Sequence, residues 1–268
     1  MTNKPDYSVF VNSTDSFEDA WEPFFRLLHD YWPDAAHVTL NTETKTYSHA
    51  SIDVTSTQVA RDGCERVPWG ECMLRALDHI PTELFVYLQD DYFLYDAVDV
   101  ERIDEAARIV EGEGLDCLRL MECGGGGPWE PTTYPWLWSV SRHAKYRIAL
   151  QAGLWTKAGM RKYLRRHESP WQMEVWGSRR AERIPGRIWC VSRDVYGDGQ
   201  PQIIPYVPTG IVKGGWNREV VEHLFAQHGI EVPFERRGWW NPATPPRSSL
   251  GAKVRKAPRY AWDRIRSL

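Results

Sequence analysis

The chain is poor in the features that mark a secreted, membrane or nucleic-acid-binding protein. It has only five cysteines in 268 residues. Cys64, Cys72, Cys117, Cys123 and Cys190 form no C-x-x-C pair and no zinc-like spacing, so neither a disulfide framework nor a sulfur-held structural metal is expected. No apolar run approaches the roughly 20 residues that span a bilayer. Residues 1–10 lack both the basic and the apolar region of a signal peptide. Neither charge dominates: 33 basic against 36 acidic residues leave a formal net charge of −3, with no global field for nucleic acid. Several enzyme signatures are missing too, namely G-x-S-x-G, a Walker A loop, H-E-x-x-H and G-x-G-x-x-G. These absences lead to the expectation of a cytoplasmic protein with reduced thiols.

Aromatic residues are what the chain has in abundance: 14 Trp, 12 Tyr and 8 Phe. Many lie in Pro- or Gly-rich surroundings, as in Pro135-Trp-Leu-Trp138 and Gly238-Trp-Trp240. An indole there either stacks on a sugar or base, or staples a loop to the body. The rest of the composition, 42% apolar and 26% charged, is that of an ordinary globular domain.

Periodicity predicts alternating strands and helices in the first half. Tyr7–Val11 reads as a strand ending in Asn12-Ser-Thr-Asp15, with Ser16 as cap of a helix and Asp19 at the capping-box position. That helix carries Phe17, Trp21, Phe24, Leu28 and Tyr31 on one face and stops before Pro33. A second strand is expected at His37–Asn41 and a second helix at Glu71–Ile80. Leu84–Leu88 is an apolar run of the kind found inside a parallel sheet. Asp99 caps the next helix, whose inner face is Ile103, Ala106, Ala107 and Val110, and Leu115–Met121 is a fourth strand. This order implies a mostly parallel sheet with helices on both faces. Beyond it come the Gly124–Gly127 run, a candidate mobile loop, a short element at Arg147–Leu150, helices near 157–166 and 170–182, a strand at 187–191 and a helix at 217–228. The last 22 residues hold seven basic side chains against one acid, Asp263. With Trp262, Ile265 and Leu268 they suit either peripheral membrane contact or a solvated tail.

Chemistry is expected first at Gln89-Asp90-Asp91, where the apolar strand ends. Ligands in parallel α/β sheets bind at the carboxyl ends of strands. Adjacent residues on an extended chain point to opposite sides, so the two acids suit two tasks. One can bind a divalent cation while the other accepts from a hydroxyl or amide; a capped turn is the plain alternative. Glu174 is the second candidate, one turn into a helix with Ser169 as N-cap and Pro170 at its first position. Between Trp171 and Trp176 it would lose water and gain proton affinity, as a general base requires. A Glu favoured by the helix macrodipole is the alternative. Lys213, within Gly210-Ile-Val-Lys-Gly-Gly-Trp216, suits a diphosphate or an exposed turn. Trp69 suits a base, a sugar or the core. Gln151–Trp155 is a candidate wall for an acceptor pocket. His223 and His228 lie five apart, off the spacing that shared metal binding prefers.

The run Arg75-Ala-Leu-Asp-His-Ile-Pro-Thr-Glu-Leu-Phe-Val-Tyr-Leu-Gln-Asp-Asp91 resembles the metal-binding motif of GT-A-fold nucleotide-sugar glycosyltransferases from bacterial surface-polysaccharide pathways. Gln89 stands where a D-x-D sequence has its first Asp. The resemblance implies an α/β fold, GT-A-like (Rossmann-like), with an irregular Trp-rich C-terminal half. It divides the chain into a nucleotide-sugar-binding half (1–123), an acceptor-binding and catalytic half of the same domain (124–246) and a basic tail (247–268). It implies Mn²⁺ or Mg²⁺ on Asp91, Asp90 beside the ribose, and Asn12 and Thr14 beside the base, with Trp69 and Lys213 as further donor contacts. Glu174 would be the base of an inverting transfer. The implied partners are a UDP- or GDP-type sugar donor and a glycan or lipid-linked acceptor, with no nucleic acid and with membrane contact through the tail. Two other classes stay open: a metal-dependent nucleotidyltransferase or phosphohydrolase, and a non-catalytic carbohydrate-binding protein.

Overall fold

The computed structural model describes residues 4–35, 37–60, 67–121, 127–207, 209–243 and 267. Its centre is a nine-stranded sheet built from Tyr7–Asn12 (β1), Val38–Leu40 (β2), Val54–Ser56 (β3), Leu84–Gln89 (β4), Cys117–Arg119 (β5), Trp129–Pro131 (β6), Leu137–Val140 (β7), Gly153–Thr156 (β8) and Ile188–Val191 (β9). The spatial order is β3-β2-β1-β4-β8-β5-β9-β7-β6. The first four strands pair in parallel, as do β5 and β9, while β7 and β8 run against their neighbours. Strands from both halves of the chain therefore interleave in one sheet.

β4 explains the layering. Leu84, Val86 and Leu88 point into a layer shared with Trp21, Phe24 and Leu28 of Glu18–Tyr31 (α1) and with Ile103, Ala106 and Val110. Phe85 and Tyr87 point the other way, onto Met73, Ala76, Trp155, Met160 and Met173. Burial on both faces is what an unbroken apolar run demands. The helices Trp69–Ala76 (α2) and Lys157–Tyr163 (α4) cover this second face, and Val100–Glu113 (α3) lies on the first. Asp99 caps α3 by accepting the Arg102 N–H at 3.0 Å. Asp99→Ala is expected to cost about 1 kcal/mol, seen as a lower urea midpoint at unchanged slope. No helix among the described residues is long and apolar enough to cross a membrane.

Several sequence expectations are corrected. The parallel order expected of the first half is interrupted: antiparallel β8 lies between β4 and β5, the core of the expected strand Leu115–Met121. Trp155 is thus a buried residue of a central strand and no pocket wall. Strands β3, β6, β7 and β8, each three or four residues long, were not expected. Arg147–Leu150 forms neither strand nor helix. Ser16 caps nothing: Asp15–Phe17 is a short 3-10 turn, and Ser16 Oγ pairs with Thr14 Oγ1 at 2.6 Å. Asp19, released from capping, pairs with Arg237. Seven of the 13 tryptophans among the described residues are core residues, and Trp21, Trp32, Trp155, Trp176 and Trp216 are fully buried.

Candidate functional site

The ends of β1 and β4 coincide, with Asn12 opposite Gln89. Asp90 then turns inward, only 4% exposed, and its carboxylate accepts from the Ser13 hydroxyl. Ser13 is itself held by Trp21 Nε1 at 2.6 Å. Asp91 has a separate partner: its Oδ2 accepts from Thr209 Oγ1 at 2.8 Å and its carbonyl accepts the Gly210 N–H at 2.7 Å. Gly210 must be a glycine here, since a Cβ would sit 2.2 Å from the Phe93 ring. The other carboxylate oxygen, Asp91 Oδ1, is buried and has no hydrogen-bond partner among the described residues.

Burial pushes Asp90 well above the usual carboxylate range and the neighbouring Asp91 charge adds to this, while the Ser13 hydrogen bond and Arg237 pull it down. Burial likewise raises Asp91 against the Thr209 bond and Arg237. Arg237 is a fixed cation of the site, forked onto Asp19 and lying over the Phe17 ring at 4.3 Å. A hard cation needs only one or two protein carboxylates when substrate oxygens and water complete its shell. An orphaned buried oxygen on Asp91 fits that demand. No cluster of three or more His, Cys, Asp or Glu able to hold a metal occurs among the described residues.

Glu174 comes from the helical run 170–180. Ser169 and Gln172 form a reciprocal capping box with Pro170 at the first helical position, and residues Met173–Gly177 wind as a π-turn. Glu174 Oε1 accepts the Leu150 N–H at 2.9 Å. The pair of indoles expected around it does not form: Trp176 is buried, but Trp171 is 75% exposed. Burial raises the proton affinity of Glu174 all the same, with the Leu150 bond opposing. The phenol of Tyr87 on β4 is buried, and its hydroxyl has no hydrogen-bond partner among the described residues. Its own affinity is raised first by burial and then by the charges of Tyr92, Glu174, Asp91 and Asp90. All four therefore lie within electrostatic reach of one residue on β4.

The remaining expected residues divide. Asn12 and Trp69 meet, with Trp69 Nε1 donating to Asn12 Oδ1 at 3.2 Å. The Thr14 hydroxyl meets Ser16 and no site acid. Lys213 is exposed in the turn between Ile211–Val212 and Gly215–Trp216, with a left-handed φ of 50° and no ion pair to the acids. Ser13, Tyr87, Thr209 and Arg237 belong to the site and were missed. Ser13 was within reach, because it lies inside the polar cluster that closes β1. Residues 124–126 of the glycine run and 247–266 and 268 of the basic tail lie outside the described residues. A cavity of about 550 Å³ opens elsewhere, between α1 and residues 48–51, and neither Asp91 nor Glu174 lines it.

No protein-family model and no curated protein matches this chain. Among solved structures it is similar to S. aureus TarS 1–349, at 13% identity and a TM-score of 0.47 over 87% of this chain and 68% of that one. Against a second TarS structure it spans 41% of the other chain's length. A mycobacterial protein aligns at 14% identity and a TM-score of 0.47 over 85% of this chain and 76% of that one. Glucosyl-3-phosphoglycerate synthase from Mycobacterium tuberculosis, in complex with phosphoglyceric acid, aligns at 14% identity and 0.44 over 85% and 82%.

Proposed function

We propose that this chain transfers a sugar from a nucleotide-diphosphate donor to a hydroxyl acceptor, with a divalent cation on Asp91 and with Glu174 as base. The observation that carries the reading is a pair of differently partnered acids at the end of β4, tied through Gln89 and Leu150 to a third, half-buried carboxylate, Glu174. Transfer needs one group that steadies a departing diphosphate and another that accepts a proton from the incoming hydroxyl.

Thr209 orients Asp91 so that its unpartnered Oδ1 is left for a cation. When bound, Mn²⁺ or Mg²⁺ offsets the charge growing on the leaving diphosphate. Glu174 Oε1 is committed to Leu150, so Oε2, which has no hydrogen-bond partner among the described residues, takes the acceptor proton. The acceptor oxygen forms its bond to the anomeric carbon as the bond to the diphosphate oxygen breaks, and the electron pair leaves with that oxygen. Attack from the face opposite the diphosphate inverts the anomeric centre. Asn12 and Trp69 form a polar and aromatic pair on the β1 rim suited to the nucleoside. The acceptor is a glycan or lipid-linked sugar, and the basic tail would hold the chain at an anionic membrane surface.

Thermal shift with UDP and GDP, with and without Mn²⁺, tests this directly. Ligand at about 100 times Kd adds about 2.7 kcal/mol, a rise of several degrees for a chain of this size. The Mn²⁺-dependent part should vanish in Asp91→Ala. Nucleotide stabilisation that ignores both Mn²⁺ and Asp91 would sink the metal assignment.

A further inference from the structure

Leu150 is held at both of its backbone polar atoms by side chains from distant parts of the chain. Gln89 Nε2, at the end of β4, donates to the Leu150 carbonyl. The Leu150 N–H donates in turn to Glu174 Oε1 at 2.9 Å. The flanking residues are tied down as well. The Ile148 N–H donates to Ser178 Oγ at 3.0 Å, and Ser178 Oγ donates to the Glu174 carbonyl at 2.5 Å. On the other side, the Ala152 N–H donates to the Tyr206 hydroxyl at 3.3 Å. Residues 147–150 have no ladder of their own, so these side chains decide where the Leu150 N–H points.

We infer that Gln89 is a positioning residue, which fixes the Leu150 N–H and through it aims the Glu174 carboxylate relative to Asp91. This rests on the reading of Glu174 as the base and goes beyond it by naming what holds the base in place. The chemistry requires a carboxamide: only a donor can bind a carbonyl oxygen, and an ionised carboxylate has none. That accounts for a Gln at the position where an Asp would otherwise precede the acid pair. The shorter, charged Asp would repel the Leu150 carbonyl and release residues 147–150.

Gln89→Met tests the inference, since it keeps the length and bulk of the side chain and removes the donor. The readout is the Leu150 amide in protein labelled with ¹⁵N-leucine, followed from about pH 4 to about pH 9, the range a raised Glu traverses. Tyr87 faces Glu174 from β4 but stays neutral across this range, because burial raises it. Asp90 and Asp91 lie beyond Tyr87, and Glu174→Gln separates their effect by removing only the Glu174 inflection. In the wild type the amide shift should inflect above the ordinary Glu range. In Gln89→Met the inflection should move to higher pH and lose at least about half its amplitude, because the bond that favours the carboxylate is weakened. Gln89→Ala should behave alike and serves if the Met variant folds poorly. An unchanged Leu150 titration in a folded Gln89 variant would overturn the inference. The measurement needs no sugar donor, so it can fail while the Mn²⁺-dependent nucleotide shift succeeds, or the reverse.

Discussion

Glu174→Gln is expected to lower sugar transfer by about 10²- to 10⁴-fold, the range a positioned general base contributes, while leaving Mn²⁺-dependent nucleotide binding intact. The substitution keeps shape and the acceptor oxygen for the Leu150 N–H, and removes only the capacity to take a proton. In the wild type the rate should fall as pH drops through the raised value of Glu174, because the protonated acid cannot accept the acceptor's proton. The variant should lack that limb. Stability has the opposite dependence. The folded chain holds the Glu174 proton more tightly than the unfolded chain does. Between the ordinary Glu value and the raised one, folding therefore loses stability as pH rises. Near neutrality Glu174→Gln should melt at the same temperature or higher. Normal transfer by this variant, assayed with a donor that stabilises the wild type, would remove Glu174 from the mechanism.

The largest loss of stability is expected from Glu168→Ala. Glu168 and Arg180 form an ion pair with side chains 0% and 1% exposed, forked at 2.6 and 2.7 Å. Arg180 also donates to the carbonyls of Tyr163 and Ser267, tying α4, the Glu174-bearing run and the chain's end together. Removing one partner of such a pair strands the other charge in the interior, at about 3–5 kcal/mol. For a chain of this length that is a fall of roughly 10 °C in Tm. Replacing both by residues of similar volume, as in Glu168→Met with Arg180→Met, should recover most of it. A loss below about 1 kcal/mol in Glu168→Ala, by urea denaturation, would mean that water reaches Arg180.

The legible parts of the fold were those with strong local signals. β4 announced itself by an apolar run, α3 by its Asp99 cap and four-residue apolar spacing, and the 170–180 run by Ser169-Pro170. The end of the acid-bearing strand was legible for the same reason, as an abrupt change from Leu88 to Gln-Asp-Asp. Thr209 and Arg237 carried no such mark. Each acts on the acids from more than 100 residues away, and nothing in their own neighbourhoods distinguishes them from ordinary polar residues. The tryptophans misled in the other direction: Trp155 and Trp216 sit among polar or glycine neighbours yet fill the core, while Trp171, expected to shield Glu174, stands in water.

The sequence by itself determined the longer strands and helices, β1, β4, α1 and α3 among them, and that two acids end a buried strand, because side-chain periodicity and capping are properties of neighbours along the chain. Only the tertiary structure decided that β8 lies between β4 and β5, that Asp90 turns in to Ser13, and that Leu150 joins Gln89 to Glu174. Those outcomes depend on which remote surfaces exclude water together and which buried polar atoms find partners. That matching is settled by the whole packed chain and is written in no single stretch of it.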